Sequence, residues 1–101
     1  MSQQQFFLRL IPPRSTFPAD MSDDEKRLMK EHAGYMRGHF EAGKVLIYGP
    51  VLAPGATFGM GVFHVADEAE ARRIMDADPS VRGGLNRYEL SPMLVAAARA
   101  M

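Results

Sequence analysis

The chain has 101 residues, 47% of them hydrophobic, which is enough for one domain with a hydrophobic core. Twelve basic and twelve acidic side chains cancel, so the net charge gives no argument for nucleic acid or an anionic membrane as a partner. No cysteine is present, which excludes disulfides and thiolate metal sites.

The N-terminal segment MSQQQFFLRLIPPR lacks the basic start, apolar stretch and small-residue cleavage site typical of a secretory signal. No apolar run approaches the roughly 20 residues needed to span a bilayer. We therefore expect a cytoplasmic protein without a membrane or nucleic-acid partner. We expect a single domain over residues 1–101, with its core at about 5–93 and a C-terminal tail at 94–101.

The first predicted strand is Gln5–Ile11, a short apolar run that two prolines stop. Alternation places Arg9 on the face opposite Phe6, where a charge needs solvent or a partner. A proline-rich loop follows at 12–20. Residues 22–25 then form an S-x-x-E capping box, which predicts the start of a helix.

This helix is predicted to run to about Ala42, with Gly43 as its C-cap. A period of 3.6 residues predicts one buried stripe on it. The stripe consists of Leu28, Met29, His32, Met36, His39 and Phe40.

Two strands follow, at Lys44–Leu52 and Thr57–Val65, and we expect them to form a hairpin. Gly49 and Pro50 interrupt the first of them, which predicts an edge strand or a bulge. A D-x-x-E box at 67–70 predicts a second helix.

The second helix is predicted to run to about Ala77, where the Asp-Pro pair at 78–79 stops it. The last predicted strand is Leu85–Leu90. We expect residues 91–101 to add a short helix or an arm exchanged with another copy of the chain.

The predicted order β-α-β-β-α-β indicates a ferredoxin-like α+β fold, an antiparallel sheet with both helices on one face. The opposite face of the sheet would carry apolar side chains and no helix. A second sheet is its natural cover, so we expect a homodimer or a higher homo-oligomer.

Histidine is the side chain best suited to move protons near neutral pH, and His32 lies on the inward stripe. A carboxylate such as Asp78 could orient it. The spacing leaves the structural alternatives open: His32 as a core histidine and Asp78 as a helix stop. His39 lies near the end of the first helix, where a cation is favoured. His64 is predicted to lie in the core or at an interface, and Asp76 is predicted to be an exposed surface residue.

Motifs for other chemistries are absent. The histidines are not at the i, i+4 spacing of a zinc helix, and no H-E-x-x-H, G-x-S-x-G, G-x-G-x-x-G or P-loop motif occurs. We therefore expect no metal and no cofactor.

Two stretches resemble the halves of the YciI-like (YCII-related) family: EHAGYMRGHFEAGKVLIYGPV at 31–51 and DEAEARRIMDADPSVRGGL at 67–85. The resemblance covers about residues 5–93. It depends on an ordered set: His32, Gly43, Gly49-Pro50 and Asp78-Pro79.

The resemblance implies a dimeric α/β-barrel and a pocket that contains a His–Asp pair, here His32 and Asp78. The family is thought to include small-molecule enzymes, such as a dehydrochlorinase of a chlorinated hydroxyhydroquinone. Two departures from its pattern concern the pocket wall. The loop at 12–20 is long, and Ser80 stands where an aromatic residue is common.

The functional hypothesis is an enzyme of lyase, isomerase or hydrolase type in which His32 is general acid/base and Asp78 orients it. Its ligand would be small, cyclic or aromatic, and oxygenated. Substrate contacts are expected from Arg9, Tyr48, Gly49 and Pro50. The alternative is a non-catalytic dimeric module for metabolite binding or assembly. A monooxygenase would rest on the fold alone, which is a poor guide to function.

Overall fold

The computed structural model describes residues 2–99. Its elements, in chain order, are β1 (Gln4–Ile11), α1 (Asp23–Glu41), β2 (Val45–Val51), β3 (Phe58–Val65), α2 (Glu68–Asp76), α3 (Pro79–Arg82) and β4 (Arg87–Met93). The order agrees with the prediction except for the additional short helix α3. Among the described residues, no helix has both the length and the apolar character needed to cross a membrane.

The sheet is antiparallel and has the strand order β2-β3-β1-β4. With β1 and β3 in the centre, this is the order of the ferredoxin-like fold, so the predicted α+β class is confirmed. The predicted hairpin pairs β2 with β3. β2 lies at the edge of the sheet, where proline is tolerated because its missing N–H is not needed by a further strand. The register of β2 against β3 shifts between Val45 and Ile47.

The core lies between the helices and one face of the sheet. Its buried residues are Phe6, Leu8, Leu10, Met36, Val45, Phe63, Val65, Ala71, Ile74 and Met75. The alternate strand residues form the opposite face, which we call the open face; Phe7 pairs with Val62 there, and Arg9 with Met60. Strand alternation therefore assigns Arg9 and Leu10 to opposite faces.

The capping box of α1 forms as predicted. Glu25 N–H donates to the Ser22 hydroxyl over 3.2 Å, and Ser22 N–H donates to the Glu25 carboxylate over 2.9 Å. The helix ends one residue earlier than predicted, with Ala42 as C-cap, and Gly43 follows at φ +81°. The predicted stripe is wrong for Phe40, which is 39% exposed and packs edge-to-face on Tyr48 at the sheet edge.

The structure differs from the prediction after α2. The Asp-Pro pair at 78–79 follows the end of α2, as predicted, but Asp78 is also the N-cap of α3. β4 begins at Arg87 instead of Leu85, because the N–H groups of Leu85 and Asn86 both donate to the carbonyl of Ser80 and keep these residues in the turn.

The tail also differs. Ser91, Pro92 and Met93 belong to β4, and residues 94–98 have no regular structure. The predicted short helix is therefore absent from the described part of the tail. Residues 100 and 101 lie outside the described residues.

The proline-rich loop at 12–20 is tied to the start of α1 through Arg14. Its guanidinium donates to the Asp20 carboxylate over 3.0 Å and to both oxygens of Glu25 over 2.7 and 2.9 Å. These bonds lower the pKa of Glu25 to about 2, the Arg14 hydrogen bond being the largest cause. Within the loop, the side chain of Phe17 is buried, with 6% exposed.

This network predicts an acid-sensitive loop. The pKa of Glu25 is about 2 in the folded chain and 4.5 ordinarily, so its stabilising contribution is present above pH 4.5 and is lost as the pH falls toward 2. We expect Arg14→Gln to flatten the pH dependence of the melting temperature across that window. Arg27→Gln, which removes an exposed pair with Glu31, is the control and should leave the dependence as in the wild type. Identical profiles for wild type and Arg14→Gln would contradict this account.

Candidate functional site

The mid-helix histidine of α1 contacts the acid that precedes α3. His32 Nδ1 lies 2.6 Å from Asp78 Oδ2; the His32 side chain is 14% exposed and the Asp78 side chain is fully buried. The contact joins residues 46 positions apart in the chain. It exists because α1 and α3 pack against each other.

Asp78 serves two elements at once. One oxygen, Oδ1, caps α3 by accepting from the Ser80 N–H at 2.8 Å and from the Ser80 hydroxyl at 3.0 Å, while Oδ2 faces His32. Pro79 favours the extended backbone that a capping residue needs, and Asp78 has φ −62° and ψ 127°. A buried carboxylate is tolerated when hydrogen bonds replace its hydration, and this one has three donors.

These bonds fix the proton arrangement of the imidazole. A carboxylate accepts hydrogen bonds, so Nδ1 carries the proton toward Asp78 and Nε2 of the neutral ring keeps its lone pair. The negative charge also acts on Tyr35, whose hydroxyl donates to the Ile74 carbonyl over 2.6 Å. Burial raises the pKa of Tyr35, and the charge of Asp78 raises it further.

His32 forms part of the wall of a cavity of about 320 Å³. The cavity lies where α1, the edge hairpin, the proline-rich loop and the turn before β4 meet. It is lined by Leu10, Pro12, Phe17, Pro18, Met29, His32, Ala33, Tyr48, Gly49, Pro50, Thr57, Phe58, Gly59 and Asn86. Apolar side chains predominate.

The structure brings most of the sequence-predicted site residues to this cavity. Tyr48, Gly49 and Pro50 line it together with His32, and Asp78 lies behind His32. Arg9 lies elsewhere. Its guanidinium is 4.0 Å from the centre of the Phe58 ring and lines a neighbouring groove, because strand alternation turns it to the open face. That groove shares Pro12, Thr57 and Phe58 with the cavity.

The other singled-out residues also lie outside the cavity lining. His39 packs edge-to-face on Tyr35, with ring centres 4.8 Å apart. His64 lies on the open face and is bonded to Gln5 at 3.0 Å. Asp76 is exposed, as predicted, and accepts a hydrogen bond from Tyr88 at 2.7 Å. Among residues 2–99, no three potential metal-ligating side chains cluster.

Sequence reasoning missed Asn86. It was assigned to a strand, whereas it lies in the turn after α3, is 4% exposed and lines the cavity. Its side-chain N–H donates to the Met29 sulfur over 3.4 Å. A polar residue two positions after the Gly83–Gly84 turn, next to Leu85, was the available signal.

The comparison with protein families agrees with this architecture. A sequence profile of the YCII-related domain matches residues 6–94. The chain belongs to the YCII-related domain family. This confirms the resemblance seen in the sequence. A search of curated proteins found no match for this YCII-related chain.

Because Asp78 contacts both His32 and Ser80, we predict that the substitution Asp78→Asn reverses the tautomer of His32. Ser80 supplies two donors, so the new amide oxygen should remain on Ser80 and the amide NH₂ should turn toward His32. His32 Nδ1 then becomes an acceptor and the proton moves to Nε2. Nitrogen chemical shifts of the neutral ring, measured by long-range ¹⁵N NMR, report this change.

The control for that experiment is Asp76→Asn, the same substitution two residues earlier on an exposed side chain bonded to Tyr88. It should leave the imidazole of His32 protonated at Nδ1. A ring that keeps the Nδ1 proton in both variants would show that Asp78 does not set the tautomer.

Proposed function

We propose that this YCII-related protein binds a small cyclic or aromatic, oxygen-bearing molecule in the cavity, where His32 transfers a proton as general acid/base. The reaction would be of lyase, isomerase or hydrolase type. One observation carries the proposal: an imidazole in a mainly apolar cavity wall has its Nδ1 held by a fully buried carboxylate.

The contacts suit this chemistry. With Nδ1 engaged by Asp78, Nε2 is the nitrogen left to accept a proton from a bound molecule. The imidazolium that results lies against a negative charge, which stabilises it. Such proton transfer contributes roughly 10²–10⁴-fold to a rate. It needs no redox group.

The size of the cavity supports a small ligand. About 320 Å³ is at the lower end of the roughly 300–1,000 Å³ typical of ligand pockets, which suits a molecule with a single ring. Tyr48 and Phe58 offer aromatic surfaces, and Gly49 and Pro50 close the side formed by β2. Arg9 is not part of the proposal, because it lies on the open face.

We expect His32→Gln to lower kcat by roughly 10²–10⁴-fold on any substrate found in a panel of hydroxylated and halogenated aromatics and lactones. Binding should change much less, since glutamine keeps a polar side chain of similar reach. His39→Gln, on the same helix outside the cavity lining, is the control. Full turnover by His32→Gln would overturn the mechanism. Tight binding without product in the wild type would instead favour the non-catalytic module.

We also propose that the protein is a homodimer joined through the open face. Half-buried and exposed apolar side chains support this, among them Phe7, Met60 and Ile47, the last 57% exposed. A contiguous apolar surface of this kind is typical of an interface.

The dimer proposal predicts that Phe7→Lys shifts the sedimentation coefficient to that of a monomer, because lysine would be buried without a partner between two sheets. Leu94→Lys is the control, since Leu94 is 93% exposed and follows the last strand. Far-UV circular dichroism establishes that both variants fold. A wild type that sediments as a monomer would end the proposal.

A further inference from the structure

The polar groups of the cavity wall are few and uncharged apart from His32. They are the side chains of His32, Tyr48, Thr57 and Asn86. Within the described part of the chain, no lysine, arginine, aspartate or glutamate lines the cavity. Asp78 lies behind His32 and is fully buried.

This lining disfavours a charged ligand. A carboxylate or phosphate would leave water without meeting a lysine or an arginine, and burying an unpaired charge is costly. A protonated His32 offers little compensation, because the charge of Asp78 already neutralises it at 2.6 Å. A cationic ligand would find no carboxylate in the wall.

Asn86 has hydrogen-bonding capacity that its described contact does not use. Its described side-chain partner is the Met29 sulfur at 3.4 Å, and a thioether is a weak acceptor. Asn86 is 4% exposed and lines the cavity, so a molecule bound there would lie against this side chain.

The backbone holds the amide in place. Asn86 N–H donates to the Ser80 carbonyl over 3.0 Å, and Ser80 is the residue whose N–H and hydroxyl bond Asp78. The histidine and the amide are thus fixed relative to one another through a single turn. A ligand that satisfies both of these positions carries two polar groups.

We propose that Asn86 is a ligand-binding residue and that the cavity takes an uncharged ring compound with two oxygen- or nitrogen-bearing groups. One group bonds the Asn86 carboxamide, and the other reaches His32 Nε2. The inference rests on the cavity of the proposed function but does not depend on catalysis.

Three probes of similar size test it: benzamide, benzoate and toluene. Benzamide and benzoate share a shape and differ in charge, and toluene has no polar group. In ¹⁵N NMR titrations of the wild type, benzamide should shift the side-chain NH₂ resonances of Asn86. Benzoate should bind at least about tenfold more weakly. Toluene should enter without moving those resonances.

The variant Asn86→Leu keeps a side chain branched at Cγ and removes the amide. We expect benzamide to bind about tenfold more weakly to it while toluene binding is unchanged, since about 1.4 kcal/mol corresponds to one hydrogen bond. Gln3→Leu, which removes an exposed carboxamide outside the cavity lining, is the control and should preserve the benzamide-to-toluene ratio.

Each outcome is decisive. Equal binding of benzamide and benzoate overturns the charge inference. An unchanged benzamide-to-toluene ratio in Asn86→Leu, or unmoved Asn86 resonances if that variant does not fold, overturns the role of Asn86. Failure of all three probes to bind overturns the cavity as a ligand site and the proposed function with it. Loss of the His32 mechanism alone leaves this inference standing.

Discussion

The buried carboxylate of Asp78 is the constraint on which the site depends. Removing a carboxylate from water costs several kcal/mol unless donors replace the water, and here the donors come from two elements. His32 belongs to α1, and Ser80 begins α3. Neither helix can move without leaving the charge unsatisfied, so one acidic side chain fixes the angle at which the imidazole meets the cavity.

The capping role of Asp78 also explains why an acidic residue follows the C-terminus of α2. At the C-terminus of α2, a negative charge is unfavourable, but the Asp78 side chain caps the next helix by accepting the Ser80 N–H. The turn closed by Ser80 then carries Asn86 to the cavity, and Arg14 ties the loop that contains Phe17 to the start of α1. The cavity is therefore framed by hydrogen-bonded connections on a rigid sheet.

Much of the fold followed from local patterns. The S-x-x-E box, the alternation in β1 and the proline of β2 each reflect interactions between residues close in sequence, and each prediction was confirmed. The failures have a common cause. Both depend on contacts with another part of the structure. The start of β4 depends on hydrogen bonds to the Ser80 carbonyl, and the position of Phe40 depends on its contact with Tyr48 at the edge of the sheet.

The sequence by itself determined the class of fold, the family and the inward side of His32, because periodicity and capping are local properties. The tertiary structure decided which groups meet. It brought Asp78 to 2.6 Å from His32, turned Arg9 to the opposite face of the sheet and placed Asn86 in the cavity wall. Spacing along the chain does not encode the packing of α1 against α3 or the register of four strands, and these set the distances on which chemistry depends.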